Sequence, residues 1–358
     1  MTTLRVGVVG LGEVAQVVHL PILESLPDLY EIAAVCDISP TLRKLVGDRY
    51  GLEHQYDDVH RMVAEAELDC VLVLNSDEYH TECVVAALDA GLHALVEKPM
   101  CLSPREADEI IAARERSGRV VMVGYMRRFA PAFEEAKRLL PDLGQVRYAR
   151  VHDVIGRNQL MIDQTARVVR PGDLPRSAME ERWARGSSLV REALGDVDPV
   201  LGGTYRLLCG LGSHDLSAMR ELLGRPTRVG AAREWRNGGY VAAMLEYDDF
   251  VAVYETGVDE QVRFDAHLEI YTERAELRVQ YDTPYVRHLP TTLVLKETVG
   301  DGYRESVFRP HLKDPYTHEL EAFHAAVTEG APVKTTPEDY VEDMELFVEI
   351  IRAIERDR

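Results

Sequence analysis

The residues from Leu4 to Ala15 restrict the fold more than any other stretch of the chain. Leu4, Val6, Val8 and Val9 form a short, β-branched apolar run that stops at Gly10, as a strand buried on both faces would. Gly10, Gly12 and Ala15 then spell GxGxxA, and Val14, Val17, Val18, Ile22 and Leu23 follow at helical spacing. A pyrophosphate needs backbone N–H groups and the positive end of a helix aimed at it, and side chains at Gly10 or Gly12 would obstruct it. The small Ala15 lets helix and strand pack closely. A second apolar run, Ile32 to Cys36, ends in Asp37, about 22 residues beyond Ala15, where a carboxylate accepts from the hydroxyls of a ribose. No arginine follows it immediately, since Ile38, Ser39 and Pro40 do, so a 2′-phosphate there would meet a like charge. The cofactor expected is NAD.

The 358 residues predict two domains, each with enough chain for a core. A formal charge of −20 opposes nucleic acid and anionic membranes as partners, and no basic cluster interleaved with aromatics compensates. Five cysteines, Cys36, Cys70, Cys83, Cys101 and Cys209, are scattered without a CxxC pair or neighbouring histidines, which predicts reduced, buried thiols, a cytoplasmic protein and no metal site. The N-terminus lacks a basic and apolar signal pattern, and no apolar run approaches a membrane span.

Further along, Ser39 and Pro40 start a helix to about Tyr50. Cys70 to Leu74 forms a strand leading to Asn75, Ser76, Asp77 and His80, with a helix closed at Gly91. His93 to Val96 leads to Glu97, Lys98 and Pro99; Ser103 and Pro104 cap a helix that ends at Gly118; Val120 to Val123 is one more strand. Strands and helices alternating in this way predict a doubly wound parallel sheet over residues 1–124. Residues at the carboxyl ends of its strands face the cofactor crevice.

Glu97, Lys98 and Pro99 carry a resemblance. In this order, GxGxxA, His19 and Pro21, His80, EKP, the run Gly124-Tyr125-Met126-Arg127-Arg128-Phe129, Gly202-Gly203 before Gly212-Ser213-His214-Asp215, and finally Tyr316, Glu319, Phe323, Gly330 and Pro332 resemble the Gfo/Idh/MocA oxidoreductases over essentially the whole chain. The resemblance implies an N-terminal Rossmann domain. It also implies a C-terminal α+β domain, 125–358, with a large open sheet whose exposed side makes contacts in a homodimer or homotetramer. Expected cofactor contacts are Gly10, Gly12, Glu13, Val14, Asp37, Ile38, Asn75, Ser76, His80, Glu97, Lys98 and Arg127; expected substrate contacts are Lys98, Tyr125, Arg127, His214 and Asp215. Lys98 and His214 are the catalytic candidates.

Two of these invite plainer readings. A buried, unpaired ammonium is costly, so Lys98 either serves the proton chemistry of alcohol oxidation or pairs with a carboxylate such as Glu97. His214 precedes the apolar helical stripe Leu216, Met219, Leu222 and Leu223 and could simply be satisfied at a helix start. The family places an aspartate four residues before its histidine, where this chain has Gly210, and Thr-Pro-Asn where it has Asn75-Ser76-Asp77.

Beyond Gly124 the pattern turns mostly β: Gln145–Val154, then Val229–Trp235, Tyr240–Tyr247, Val251–Val258, His267–Tyr271, Glu276–Tyr281 and Leu293–Thr298 predict a largely antiparallel sheet. Pro131–Leu140, Pro315–Glu329 and Pro337–Arg356 read as helices. The polar, helix-prone stretch 170–199, longer than the family's usual, reads as a substrate-pocket wall, an oligomer contact or a solvated helix. The function expected is NAD-dependent interconversion of a secondary alcohol and a ketone on a neutral or amino-bearing sugar, cyclitol or glycoside. The alternatives are a nucleotide-binding sensor or structural subunit without catalysis, and an imine reductase or internally redox-cycling enzyme.

Overall fold

A computed structural model describes residues 2–358 and separates the chain into two units. The first holds the residues up to Gly124 together with Ala166–Gly195 and Glu319–Val341; the second holds Tyr125–Thr165, Asp196–His318 and Glu342–Arg358. The chain thus leaves the first unit at Gly124 and returns to it twice.

In the first unit, β1 (Leu4–Val9) runs through a π-helical turn (Ala15–His19) into α1 (Leu20–Ser25). There follow β2 (Tyr30–Cys36), α2 (Pro40–Tyr50), β3 (Gln55–Tyr56), α3 (Val59–Glu65), β4 (Cys70–Val73), α4 (His80–Asp89), β5 (His93–Glu97), α5 (Pro104–Ser117) and β6 (Val121–Gly124). The strands are all parallel, in the order β3-β2-β1-β4-β5-β6. The winding reverses beside β1, which opens a crevice at its carboxyl end. Local chemistry sets the helix ends. The Ser39 hydroxyl accepts from Leu42 N at 3.1 Å with Pro40 next in line, and α2 closes on Gly51 at φ +65°. Ser103 caps α5 by accepting from Glu106 N, while the Glu106 carboxylate accepts from Leu102 N at 3.1 Å. The returning segment 319–341 is knitted in by buried bonds: Tyr30 donates to Leu320 O, and Thr335 exchanges two bonds with the main chain of Val123.

Next along the chain come α6 (Pro131–Leu139), β7 (Val146–Gly156) and α7 (Asn158–Thr165); α8 (Arg176–Leu194) lies in the first return segment. The second unit resumes with α9 (Pro199–Leu207) and α10 (Ser213–Leu223), followed by β8 (Arg228–Trp235), β9 (Tyr240–Glu246), β10 (Val251–Asp259), β11 (Phe264–Thr272), β12 (Ala275–Tyr281), β13 (Thr292–Val299) and β14 (Gly302–Phe308). Then α11 (Pro315–Glu329) and α12 (Pro337–Asp357) close the chain. The eight strands lie in the order β14-β13-β12-β11-β7-β10-β9-β8 and are antiparallel except where β7 meets β10. Along β7, Ala149, Val151 and Asp153 point to the buried face, which α10 covers over β7 and β11 and α6 covers over β12 and β13. β14 escapes the sequence pattern because it is a mostly exposed edge strand with no apolar face to show. Among the described residues, no helix is long and apolar enough to cross a membrane.

Candidate functional site

At the carboxyl ends of β1, β2 and β4 lies a cavity of about 590 Å³, lined by Gly10, Gly12, Asp37, Ile38, Asn75 and Ser76 among others. Gly10 sits at φ +87°, and a Cβ there would collide with the backbone of Asn75, so the β1 turn and the β4 end lie too close for any side chain. Gly12 differs: a Cβ there would meet nothing within 4 Å and would stand in the cavity itself. The turn is therefore glycine at one position for backbone approach and at the other for free space.

Asp37 is fixed by its own neighbours. Its Oδ2 accepts from Leu11 N at 2.7 Å and its Oδ1 from Ser39 N at 2.8 Å, which ties the β2 end to the glycine turn. Asn75 donates to Cys83 Sγ at 3.4 Å, and its Oδ1 is buried without a partner. An open cradle at Gly12, an anchored carboxylate and an unsatisfied amide oxygen fit a dinucleotide with its pyrophosphate over the turn and a ribose at Asp37.

Glu97, at the end of β5, is buried. Burial alone would raise its carboxyl, but the hydrogen bond from His19 and the charges of His19 and Lys98 outweigh this and hold it below the usual range. One oxygen takes His19 Nε2 at 2.9 Å and the other accepts the main-chain N–H of Lys98 at 3.1 Å. Lys98 itself is half-buried at the strand end, before a cis peptide to Pro99. His80 departs from expectation. It is 1% exposed, and its ring nitrogens lie 2.8 Å from Pro99 O and 3.0 Å from Asn75 O, so it brackets the β4 and β5 loops instead of reaching a cofactor. Glu13 is also otherwise engaged: its carboxylate pairs with Arg170 at 2.5 Å, and half-buried Val14 belongs to the start of the helix, outside the cavity lining.

Arg170 introduces residues the sequence did not single out. Residues 166–195 return to the first unit as a strap along the cavity, where Pro171, Leu174, Ala178, Met179, Glu181 and Arg182 complete its wall. Gln16 holds the strap's start, accepting from Val169 N at 2.9 Å and donating to both Val169 O and Leu11 O. Asp173 accepts from Ser39 Oγ at 2.9 Å and from Thr41 N at 3.0 Å. Farther on, Arg182 pairs with Glu78, Arg185 with Glu82, and Glu192 with Arg105. The stretch read as a substrate-pocket wall, oligomer contact or solvated helix is thus a wall of the cavity at the glycine turn. Its composition gave length and helix but no hint of where it docks.

In the second unit, His214 stands in the first turn of α10, 6% exposed. Its neighbours are not the substrate contacts expected. Arg127 is 2% exposed and ion-paired with Asp153 at 3.0 Å and with Asp215, both fully buried. Burial would discharge the guanidinium, but the two carboxylates hold it charged above its ordinary value. Tyr125 is 1% exposed as well. Arg127, Tyr125 and Asp215 are interior residues, and a guanidinium engaged with two buried carboxylates is not presented to a ligand. A Cβ on Gly210 would meet nothing within 4 Å, so the missing aspartate is not a steric necessity. All five cysteines are buried and outside any disulfide, and burial pushes Cys36 and Cys83, both in the cavity wall, up to about 12.

Residues 4–125 match the model of a family described as an oxidoreductase family with an NAD-binding Rossmann fold. The inositol 2-dehydrogenase of Salmonella paratyphi B is 31% identical over 146 residues, which is 40% of this chain and 43% of that enzyme, so the match spans less than half of its length. Inositol 2-dehydrogenase 2 of Saccharopolyspora erythraea is 28% identical over 334 residues, 92% of this chain and 86% of that one. The aldose-aldose oxidoreductase of Caulobacter crescentus, solved with glycerol, shares the fold at a TM-score of 0.75 and 20% identity, over 100% of this chain and 99% of that one.

Proposed function

We propose that the chain is a member of the Gfo/Idh/MocA oxidoreductases, whose NAD-binding Rossmann domain its residues 4–125 match, and that it is an NAD-dependent dehydrogenase interconverting a secondary alcohol and a ketone on a sugar, amino sugar, cyclitol or glycoside. The observation that carries this reading is the cavity beneath the glycine turn, with Gly12 open and Asp37 anchored by Leu11 and Ser39. The inositol dehydrogenases among its relatives support the substrate class.

NAD, when bound, supplies the hydride acceptor. The chain's own task is the proton and the orientation of the substrate. Lys98, at the strand end beyond an anionic Glu97, is assigned the proton of the reacting hydroxyl; neutral it accepts this proton, and charged it stabilises the alkoxide. His214 lacks an aspartate at position 210 to orient it and is assigned to hold a hydroxyl. A net charge of −20 favours neutral or amino-bearing substrates over polyanionic ones. The five buried thiols, none in a disulfide, support a cytoplasmic setting.

Gly210 favours a second reading, a nucleotide-binding protein without catalysis. Incubating the purified chain with NAD and a panel of inositols, neutral sugars, amino sugars and glycosides, followed at the NADH absorbance, separates the two. Turnover with at least one polyol supports the dehydrogenase. Silence with every substrate, with NAD binding intact by calorimetry, overturns it in favour of the sensor. Sugar products without net NADH would mean the internally cycling variant.

A further inference from the structure

Beside Asp37 the strap sets a second carboxylate. Asp173 accepts from the Ser39 hydroxyl with both oxygens at 2.9 Å and from Thr41 N at 3.0 Å, while the Ser39 main-chain N–H donates to Asp37 Oδ1 at 2.8 Å. Ser39 therefore has a carboxylate on either side. It is also the cap of α2, so its hydroxyl and the first N–H groups of that helix stand just beyond the ribose-binding acid. A phosphate on that ribose would need such donors. They are already in use: Asp173 takes the hydroxyl and Thr41 N, and Leu42 N donates to Ser39 Oγ. Arg43, a basic residue in the same turn, is drawn to the main-chain oxygen of Asp37 through Nη1. Partial desolvation works against ionisation of Asp173, but the bonds from Thr41 and Ser39 prevail and keep its carboxyl below the usual range.

We propose that Asp173 determines cofactor specificity: the strap places a carboxylate over the start of α2, occupying the donors a 2′-phosphate would use, so that NADP is rejected by the strap as well as by Asp37. This rests on the NAD reading above, yet it is separable from it. Asp37 belongs to the glycine-turn fingerprint, whereas Asp173 comes from a segment more than 130 residues later and acts by filling a site.

The test compares dissociation constants of NAD and NADP, by calorimetry on the full chain, for wild type, Asp173→Asn, Asp173→Ala and Asp37→Asn/Asp173→Asn. Asp173→Asn keeps the shape and one acceptor oxygen while removing the charge. It should tighten NADP by about tenfold or more and change NAD by less than about threefold, and the gain should shrink in high salt, as a charge effect must. The double variant should shift the ratio further. Thermal melts of each variant monitor the fold. If NAD and NADP weaken equally in both Asp173 variants, or if the NAD to NADP ratio stays unchanged while wild type still prefers NAD, the specificity role is overturned and Asp173 is only a fastener. Wild type binding NADP as tightly as NAD would overturn the NAD assignment itself, and the inference with it.

Discussion

Arg127, a residue that the sequence reads as a ligand contact, is an internal counter-ion. Its guanidinium serves Asp153 and Asp215 and lies 5.2 Å from the ring centre of Tyr281. Two carboxylates around one cation leave a negative charge in excess, and burial, reinforced by Asp153 against the pull of Arg127, pushes the Asp215 carboxyl well above its ordinary value. The folded chain then keeps a proton on Asp215 that the unfolded chain has released above about pH 4, so this residue's contribution to stability is full in acid and declines as pH rises. Asp215→Asn should abolish that decline. In urea titrations between about pH 5 and pH 8, the variant should gain on wild type as pH rises, and parallel profiles would mean that Asp215 is ionised throughout. Arg127→Met leaves the buried Asp153 carboxylate without its cation and should cost about 3–5 kcal/mol in urea unfolding. The proton chemistry is tested elsewhere. Lys98→Met should leave NAD affinity within a few fold and lower kcat by roughly 10² to 10⁴, whereas His214→Asn should raise KM more than it lowers kcat. The reverse ranking would make His214 the base despite Gly210.

At the scale of elements, the strap decides how the nucleotide cavity is closed. Gln16 is its first fastener, making two bonds to Val169 and one to Leu11 O of the glycine turn. Gln16→Ala removes them while leaving Gly10, Gly12 and Asp37 untouched. With about 1 kcal/mol for each strap bond, NAD should dissociate up to about 30-fold faster in stopped flow with a smaller change in association; an unchanged off-rate would mean that the strap does not hold the cofactor. Elements whose signals are local were legible beforehand: β1 and its glycines, Ser39 and Ser103 as caps, Gly118 as a helix end. The alternating apolar residues of β7 to β13 likewise announced a sheet. What stayed hidden depends on partners far away in the chain. Asp173 finds Ser39 across 134 positions, and Arg127 finds Asp215 across 88, and neither pairing leaves a periodic mark. His80 misled for a related reason, because a histidine after a strand end reads the same whether it faces a ligand or, as here, two main-chain oxygens.

For the whole molecule, a charge of −20 opposes any association of like copies. At physiological ionic strength, charges beyond about 8 Å are largely screened, so what matters is the balance on the face that meets. The register puts Tyr148, Arg150 and His152 of β7 on the side of the large sheet opposite Ala149, Val151 and Asp153, level with Glu269 of β11, Glu255 of β10 and, one strand on, Met244 of β9. Most charges on this side are paired within the chain, by Arg150 with Glu255, Arg278 with Glu269 and Lys296 with Glu276. Between them stand exposed Tyr148, Trp235, Met244, Tyr303 and Val307. A surface whose charges are mostly paired within the chain, with scattered large apolar groups, suits a second copy of itself, and we propose it as the place where copies would meet. Sedimentation equilibrium at micromolar concentration should give a dimer or tetramer that survives a rise in salt. Because a two-fold contact presents each substitution twice, Met244→Arg adds a pair of unmatched cations and should yield monomers with an unchanged circular dichroism spectrum. A wild type that sediments as a monomer, or a Met244→Arg protein that still assembles, would show that this face does not carry the contact.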